Sequence, residues 1–103
     1  MYVVRLSLEA KAGEASATLK LLQDWIRDVG ERAGVRASST RLITGSLGPS
    51  QGVIELEFRV DALNELDSTW SYLESNPHHG VYLAQISTHL VSAPRWSTYL
   101  LVE

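Results

Sequence analysis

Two eight-residue stretches, Tyr2–Glu9 and Val53–Val60, alternate apolar and polar side chains, and each is followed by a helical stripe. In the first, Tyr2, Val4, Leu6 and Leu8 share a face, opposite Val3, Arg5, Ser7 and Glu9. In the second, Ile54, Leu56, Phe58 and Val60 oppose Glu55, Glu57 and Arg59. A period of two marks half-buried strands, each with one face that must be covered. The cover is written into the segments between. Leu19, Leu22, Ile26, Val29 and Ala33, widened by Leu21 and Trp25, predict a long helix from about Glu14, with Glu14 in its first turn and Gly34 just past its end. Leu63, Leu66, Trp70 and Leu73 predict a second helix, for which Asp61 suits the N-cap.

The remaining elements complete a pattern. Residues 38–47 read as a less regular strand interrupted by Gly45, and Gly48-Pro49-Ser50-Gln51-Gly52 as a turn joining neighbouring strands. Asn76 suits a cap and Pro77 a first helical position. Val81-Tyr82-Leu83-Ala84 could open a buried strand, but Tyr82, Ile86 and Leu90 fit a helical face, which favours a short helix from Pro77 to about Leu90. Pro94 ends it, and Trp96 to Val102 forms a last strand. The order β-α-β-β-α-(α)-β, with right-handed crossovers, predicts a ferredoxin-like α+β sandwich: a four-stranded antiparallel sheet with helices on one face. A chain of 103 residues supports one such core, so residues 1–103 are expected to form a single domain.

Composition excludes several classes. A net charge of −3, with no run of Lys or Arg, argues against a nucleic-acid binder. The absence of cysteine excludes disulfides, thiolate nucleophiles and Cys-based metal sites. Arg5, Glu9 and Lys11 break any signal-peptide core, and the longest uncharged stretch holds Asn76, Pro77, two histidines and Gly80 and cannot span a bilayer. The expectation is a soluble cytoplasmic protein without membrane association.

The tract from the Gly48-Pro49 turn through the alternating strand ending in Asp61, the amphipathic helix, the Asn76-Pro77 break and the segment VYLAQISTHLVS resembles the dimeric α+β-barrel superfamily, and within it NIPSNAP-like and antibiotic-biosynthesis-monooxygenase-like proteins. The resemblance implies a homodimer whose sheets pack face to face, with Arg5 or Arg59 pairing with Glu55 or Glu57 across strands. Relatives of this shape include cofactor-independent monooxygenases, aromatic polyketide cyclases, haem-degrading monooxygenases, isomerase-like enzymes and members without known activity. The fold alone selects none of these reactions.

Candidate site residues gather in one region. From Ser75 to Pro94 there is no Asp, Glu, Lys or Arg, yet His78, His79 and His89 all lie there. They do not read as a metal site: adjacent helical residues diverge by about 100°, and His78 and His89 are about 16 Å apart along a helix. A haem-degrading arrangement would pair Trp70 with His79, nine residues on, but the first strand offers Ser7 and no Asn. The expectation is therefore no cofactor, and an apolar pocket between sheet and helices for a hydrophobic aromatic molecule, under the second and third helical segments. Trp70, Tyr72 and Tyr82 would shape it, an imidazole would carry protons, and Tyr or Trp donors would steady an oxyanion. Simpler roles compete: Trp70 as core, His78 and His79 as solvent-facing first-turn residues, His89 as a cap, and Trp25 and Trp96 as packing. Arg41 is either a ligand for a substrate carboxylate or phenolate, or an edge-strand arginine in water. Gly45, Gly48 and Gly52 lack the strand–GxxxxGK–helix setting of a phosphate loop.

Overall fold

The alternation in the two best strands pairs them at the centre of the sheet. The computed structural model describes residues 1–48 and 51–102. In it β1 (Tyr2–Glu9) and β3 (Val53–Val60) run antiparallel in full register, from Tyr2 opposite Val60 to Glu9 opposite Val53. β2 (Arg41–Thr44) flanks β3 and β4 (Arg95–Leu100) flanks β1, giving the order β2-β3-β1-β4. This is the ferredoxin-like α+β arrangement. β2 is shorter than its pattern suggested. The serine-rich Ala37–Ser39 winds into a 3₁₀ turn, and Gly45 contributes only a single bridge to Gln51. Of the expected turn that follows, Pro49 and Ser50 lie outside the described residues; the Gln51 N–H donates back to the Gly48 carbonyl.

One face of the sheet is covered. Val4, Leu6 and Leu8 of β1 and Ile54, Leu56 and Phe58 of β3 are buried beneath the helices. The long helix is α1 (Ala15–Trp25), a π-helical turn (Ile26–Gly30) and a final turn, α2 (Glu31–Ala33); Leu22, Trp25, Ile26, Val29 and Ala33 face the core. Gly34 ends it at φ 97°, a left-handed conformation that only glycine adopts at no steric cost. Glu14 occupies the N-cap, one position before the expected first turn, and its carbonyl accepts from both the backbone and the hydroxyl of buried Thr18.

α3 (Asn64–Ser75) and α4 (Pro77–Ser87) complete the layer. Asp61 does not cap α3. Instead the Glu65 carboxylate reaches back to the N–H groups of Asp61 and Ala62, a longer acceptor doing the same electrostatic work. Thr69 donates to the Ala33 carbonyl at 2.8 Å, tying α3 to the end of the long helix. Between α3 and α4, the Asn76 side chain accepts from the His78 N–H with Pro77 at the first position. The segment is helical, and it stops at Ser87 because Leu90 leaves to bridge with Ala10. Among the described residues no helix is long and apolar enough to cross a membrane.

Among the described residues no second layer covers the opposite sheet face, yet Glu57 is 4% exposed there. Arg5 holds one carboxylate oxygen through its Nε and Nη2, each at 3.0 Å, and Arg41 holds the other, with Nε at 2.9 Å. Burial alone would raise the Glu57 carboxyl, but the hydrogen bonds from Arg41 and Arg5 outweigh it and leave its pKa below the ordinary carboxylate value. Stabilisation from this cluster is therefore complete above the ordinary value and lost as pH falls through the lower folded one. Glu57→Ala is expected to cost about 1–2 kcal/mol at pH 7, well short of breaking a fully buried pair, because both arginines keep much of their water. Urea melts at pH 7 and pH 3 should show that gap narrowing in acid.

Candidate functional site

A π-helical turn accepts an extra residue into a helix, and such turns recur at functional sites. Here the Glu31 N–H reaches the Ile26 carbonyl, five residues back, and the turn starts directly after Trp25. Gly30 lies under the Trp25 indole; a Cβ at this position would meet Trp25 Cζ3 at 3.0 Å and the Val35 carbonyl oxygen at 3.1 Å. The buried indole then points its N–H at α4, where Trp25 Nε1 donates to His79 Nδ1 at 3.0 Å. Three residues further along each helix, the Tyr82 hydroxyl donates to Asp28. The turn and the start of α4 are thus joined by two successive bonds.

Beneath this junction is an apolar hollow of about 50 Å³. Leu6 and Leu8 form its floor, Leu22 and Trp25 one wall, His79, Leu83 and Ile86 of α4 the other, and Pro94 and Trp96 the rim beside β4. Because an indole N–H only donates, His79 Nδ1 must be unprotonated, and the neutral ring carries its hydrogen on Nε2. No described residue takes that hydrogen. Burial holds the imidazole below its ordinary pKa of 6.5, which favours this neutral form.

Of the residues singled out from sequence, His79 alone lines the hollow. His78 is exposed, its backbone N–H engaged by Asn76. His89 stands at the far end of α4, with Nδ1 2.9 Å from the Glu14 carboxylate, tethering the start of α1. Trp70 packs edge-on against Trp96 with ring centroids 4.8 Å apart, and Trp96 meets Phe58 at 6.4 Å. The space expected beside Trp70 is therefore filled by Trp96, and the hollow lies across that ring, under α1 and α4 instead of α3 and α4. The Tyr72 hydroxyl accepts from Asn76 Nδ2 at 3.1 Å, and Tyr82 faces Asp28. Arg41, bound to Glu57, lies on the other side of the sheet.

The sequence reads Trp25 and Trp96 as packing, Pro94 as a helix end and Leu83 as part of an ambiguous segment, and gives none of them a place at the site. The available signal was topological: helices on one face of a four-stranded sheet bring the end of α1 against the start of α4, 54 residues on. Among the described residues no group of His, Asp or Glu is placed to hold a metal ion.

No protein-family model matches the sequence, and no curated protein matches it either. Solved structures do match the fold. An uncharacterized NIPSNAP domain protein from Burkholderia xenovorans superposes with a TM-score of 0.72 at 18% identity, covering 99% of this chain and 95% of that one. A NIPSNAP family protein from Agrobacterium tumefaciens gives 0.74 at 12% identity, covering 99% and 93%. A structure named as an antibiotic biosynthesis monooxygenase gives 0.63 at 12% identity, with both chains fully covered. At these identities the likeness establishes the ferredoxin-like α+β fold that all three share with this chain.

Two outcomes follow from the geometry. The Trp25–His79 bond needs a neutral imidazole, so its stabilisation is complete above about pH 6.5 and lost as pH falls through the lower folded pKa. Tryptophan fluorescence should report a transition below pH 6.5 that is absent from His79→Phe. Gly30→Ala should destabilise the protein by about 1–3 kcal/mol through overpacking against the indole, and displace this transition as Trp25 shifts.

Proposed function

We propose that this chain pairs with a second copy through the outer sheet face, binds a small hydrophobic aromatic molecule in the hollow under α1 and α4, and tailors it without a cofactor as a monooxygenase or cyclase. The observation that carries the reading is an apolar hollow whose wall holds one neutral imidazole with a free N–H. A hydrogen-bond donor in such surroundings favours the enolate oxygen that develops from a ketone far more than it would in water. His79 would touch the ligand as that donor, while its other nitrogen stays occupied by Trp25. The ligand's proton leaves to solvent at the rim; in the monooxygenase reading dioxygen is the oxidant, one oxygen atom entering the ligand and the other leaving as water.

Size limits what enters. An apolar cavity that takes up benzene measures about 150 Å³, so 50 Å³ admits a carbonyl or the edge of a ring. The remainder of a ligand must cross the rim, where Leu83 and Trp96 are 40% and 37% exposed. Self-pairing is supported by the outer face. Its buried carboxylate, Glu57, is already neutralised by two arginines, while Ile43 and Tyr99 stand 40% and 52% exposed on the same side. A non-catalytic binding protein is the second reading, favoured by the absence of any carboxylate among the residues lining the hollow.

Oxygen uptake with a model anthrone in metal-free buffer separates the two. The tailoring reading expects turnover that falls about a hundredfold or more in His79→Ala, the worth of one donor to a developing oxyanion, and is unchanged in His89→Ala. Saturable binding with neither uptake nor cyclised product would establish the binding-protein reading. Sedimentation should give twice the 11.4 kDa protomer at micromolar concentration; a lone protomer removes the pairing.

A further inference from the structure

We infer that the hollow selects ligands presenting a carbonyl-type acceptor oxygen and no hydrogen-bond donor, and that Trp25 sets this selectivity as a positioning residue by fixing the His79 tautomer. The inference rests on the ligand-binding reading above and names the chemical class it takes.

The lining residues are Leu6, Leu8, Leu22, Trp25, His79, Leu83, Ile86, Pro94 and Trp96. Their side chains contain no oxygen, so the only polar side-chain atoms along the wall are ring nitrogens. Trp25 Nε1–H is directed to His79 Nδ1, which removes the one nitrogen lone pair on the wall. What remains is His79 Nε2–H and the Trp96 indole N–H, and no described residue accepts from either. Every free side-chain group is thus a donor. A ketone or quinone oxygen satisfies such a wall with both lone pairs. An alcohol or phenol brings a hydrogen that finds no side-chain partner and loses its hydration on entry. A carboxylate brings a full charge with no cation along the wall, and the Arg5–Glu57–Arg41 cluster is on the other side of the sheet.

The neutral Nε2–H tautomer follows from bonding partners alone, and burial of the ring supports it. Breaking the Trp25 bond frees Nδ1. The ring then takes either tautomer and offers an acceptor as readily as a donor, which would admit alcohols.

The test uses the whole protein and three probes of one shape: 1-indanone, 1-indanol and indane. Binding is followed by the indole N–H resonances of the tryptophans, and the tautomer by long-range proton–nitrogen correlations of the imidazoles. The wild type should show His79 as the Nε2–H form and bind 1-indanone about tenfold more tightly than indane, the worth of one hydrogen bond to a buried donor, with 1-indanol no tighter than indane. Trp25→Phe should lose the ketone-over-alcohol preference. An Nδ1–H tautomer in the wild type, or 1-indanol binding as tightly as 1-indanone, overturns the inference and leaves the hollow as a ligand site. Failure of all three probes to bind overturns both. The tautomer is read in the wild type, so the outcome stands even where Trp25→Phe fails to fold.

Discussion

An indole N–H can give a hydrogen bond and never receive one, and this asymmetry at Trp25 organises the half of the molecule that holds the apolar hollow. It fixes which nitrogen of His79 bears the hydrogen, holds the start of α4 against the long helix, and closes one end of the hollow. The interaction exists because the long helix carries a π turn directly after Trp25 and a glycine five residues on, where a Cβ would meet the ring at 3.0 Å. Local backbone irregularity, side-chain direction and tautomer form one causal chain. Asp28 and Tyr82 repeat the link one step further along both helices.

The two sheet faces are stabilised by different physics. Under the helices, aliphatic side chains of β1 and β3 exclude water, and packing decides everything. On the outer face one carboxylate is nearly buried because Arg5 and Arg41 divide its two oxygens between them. Such a cluster tolerates removal from water far better than an unpaired charge. That makes the outer face a surface another sheet can cover, while on the inner face the apolar hollow opens at the rim by Pro94 and Trp96.

Much of the architecture was legible because it is periodic. The alternation in Tyr2–Glu9 and Val53–Val60 placed both central strands to the residue, and Gly34 and Asn76-Pro77 marked helix ends through conformational and capping preferences. Elements lacking a period were misjudged: Ser38 and Ser39 wind into a 3₁₀ turn, and Asp61 left the capping role to Glu65. The site was legible only in its imidazole. His79 stood out by composition, whereas Trp25 looked like one more apolar residue on a helical stripe. Its role depends on the direction of a single N–H, which no spacing encodes. Trp70 attracted notice by its place beside the histidines, but Trp96 fills the space next to it, 4.8 Å between ring centres. Contacts between residues far apart in sequence decide such cases, and only the folded chain displays them.

A donor-lined hollow that receives an aryl ketone is the central claim, and anomalous scattering tests it most directly. Crystals soaked in 5-bromo-1-indanone should show a bromine peak at the rim between Leu83 and Trp96, with the ketone oxygen within hydrogen-bonding distance of His79 Nε2. A bromine found only against the outer sheet face, or a ligand seated in the hollow with its oxygen turned away from His79, would contradict it.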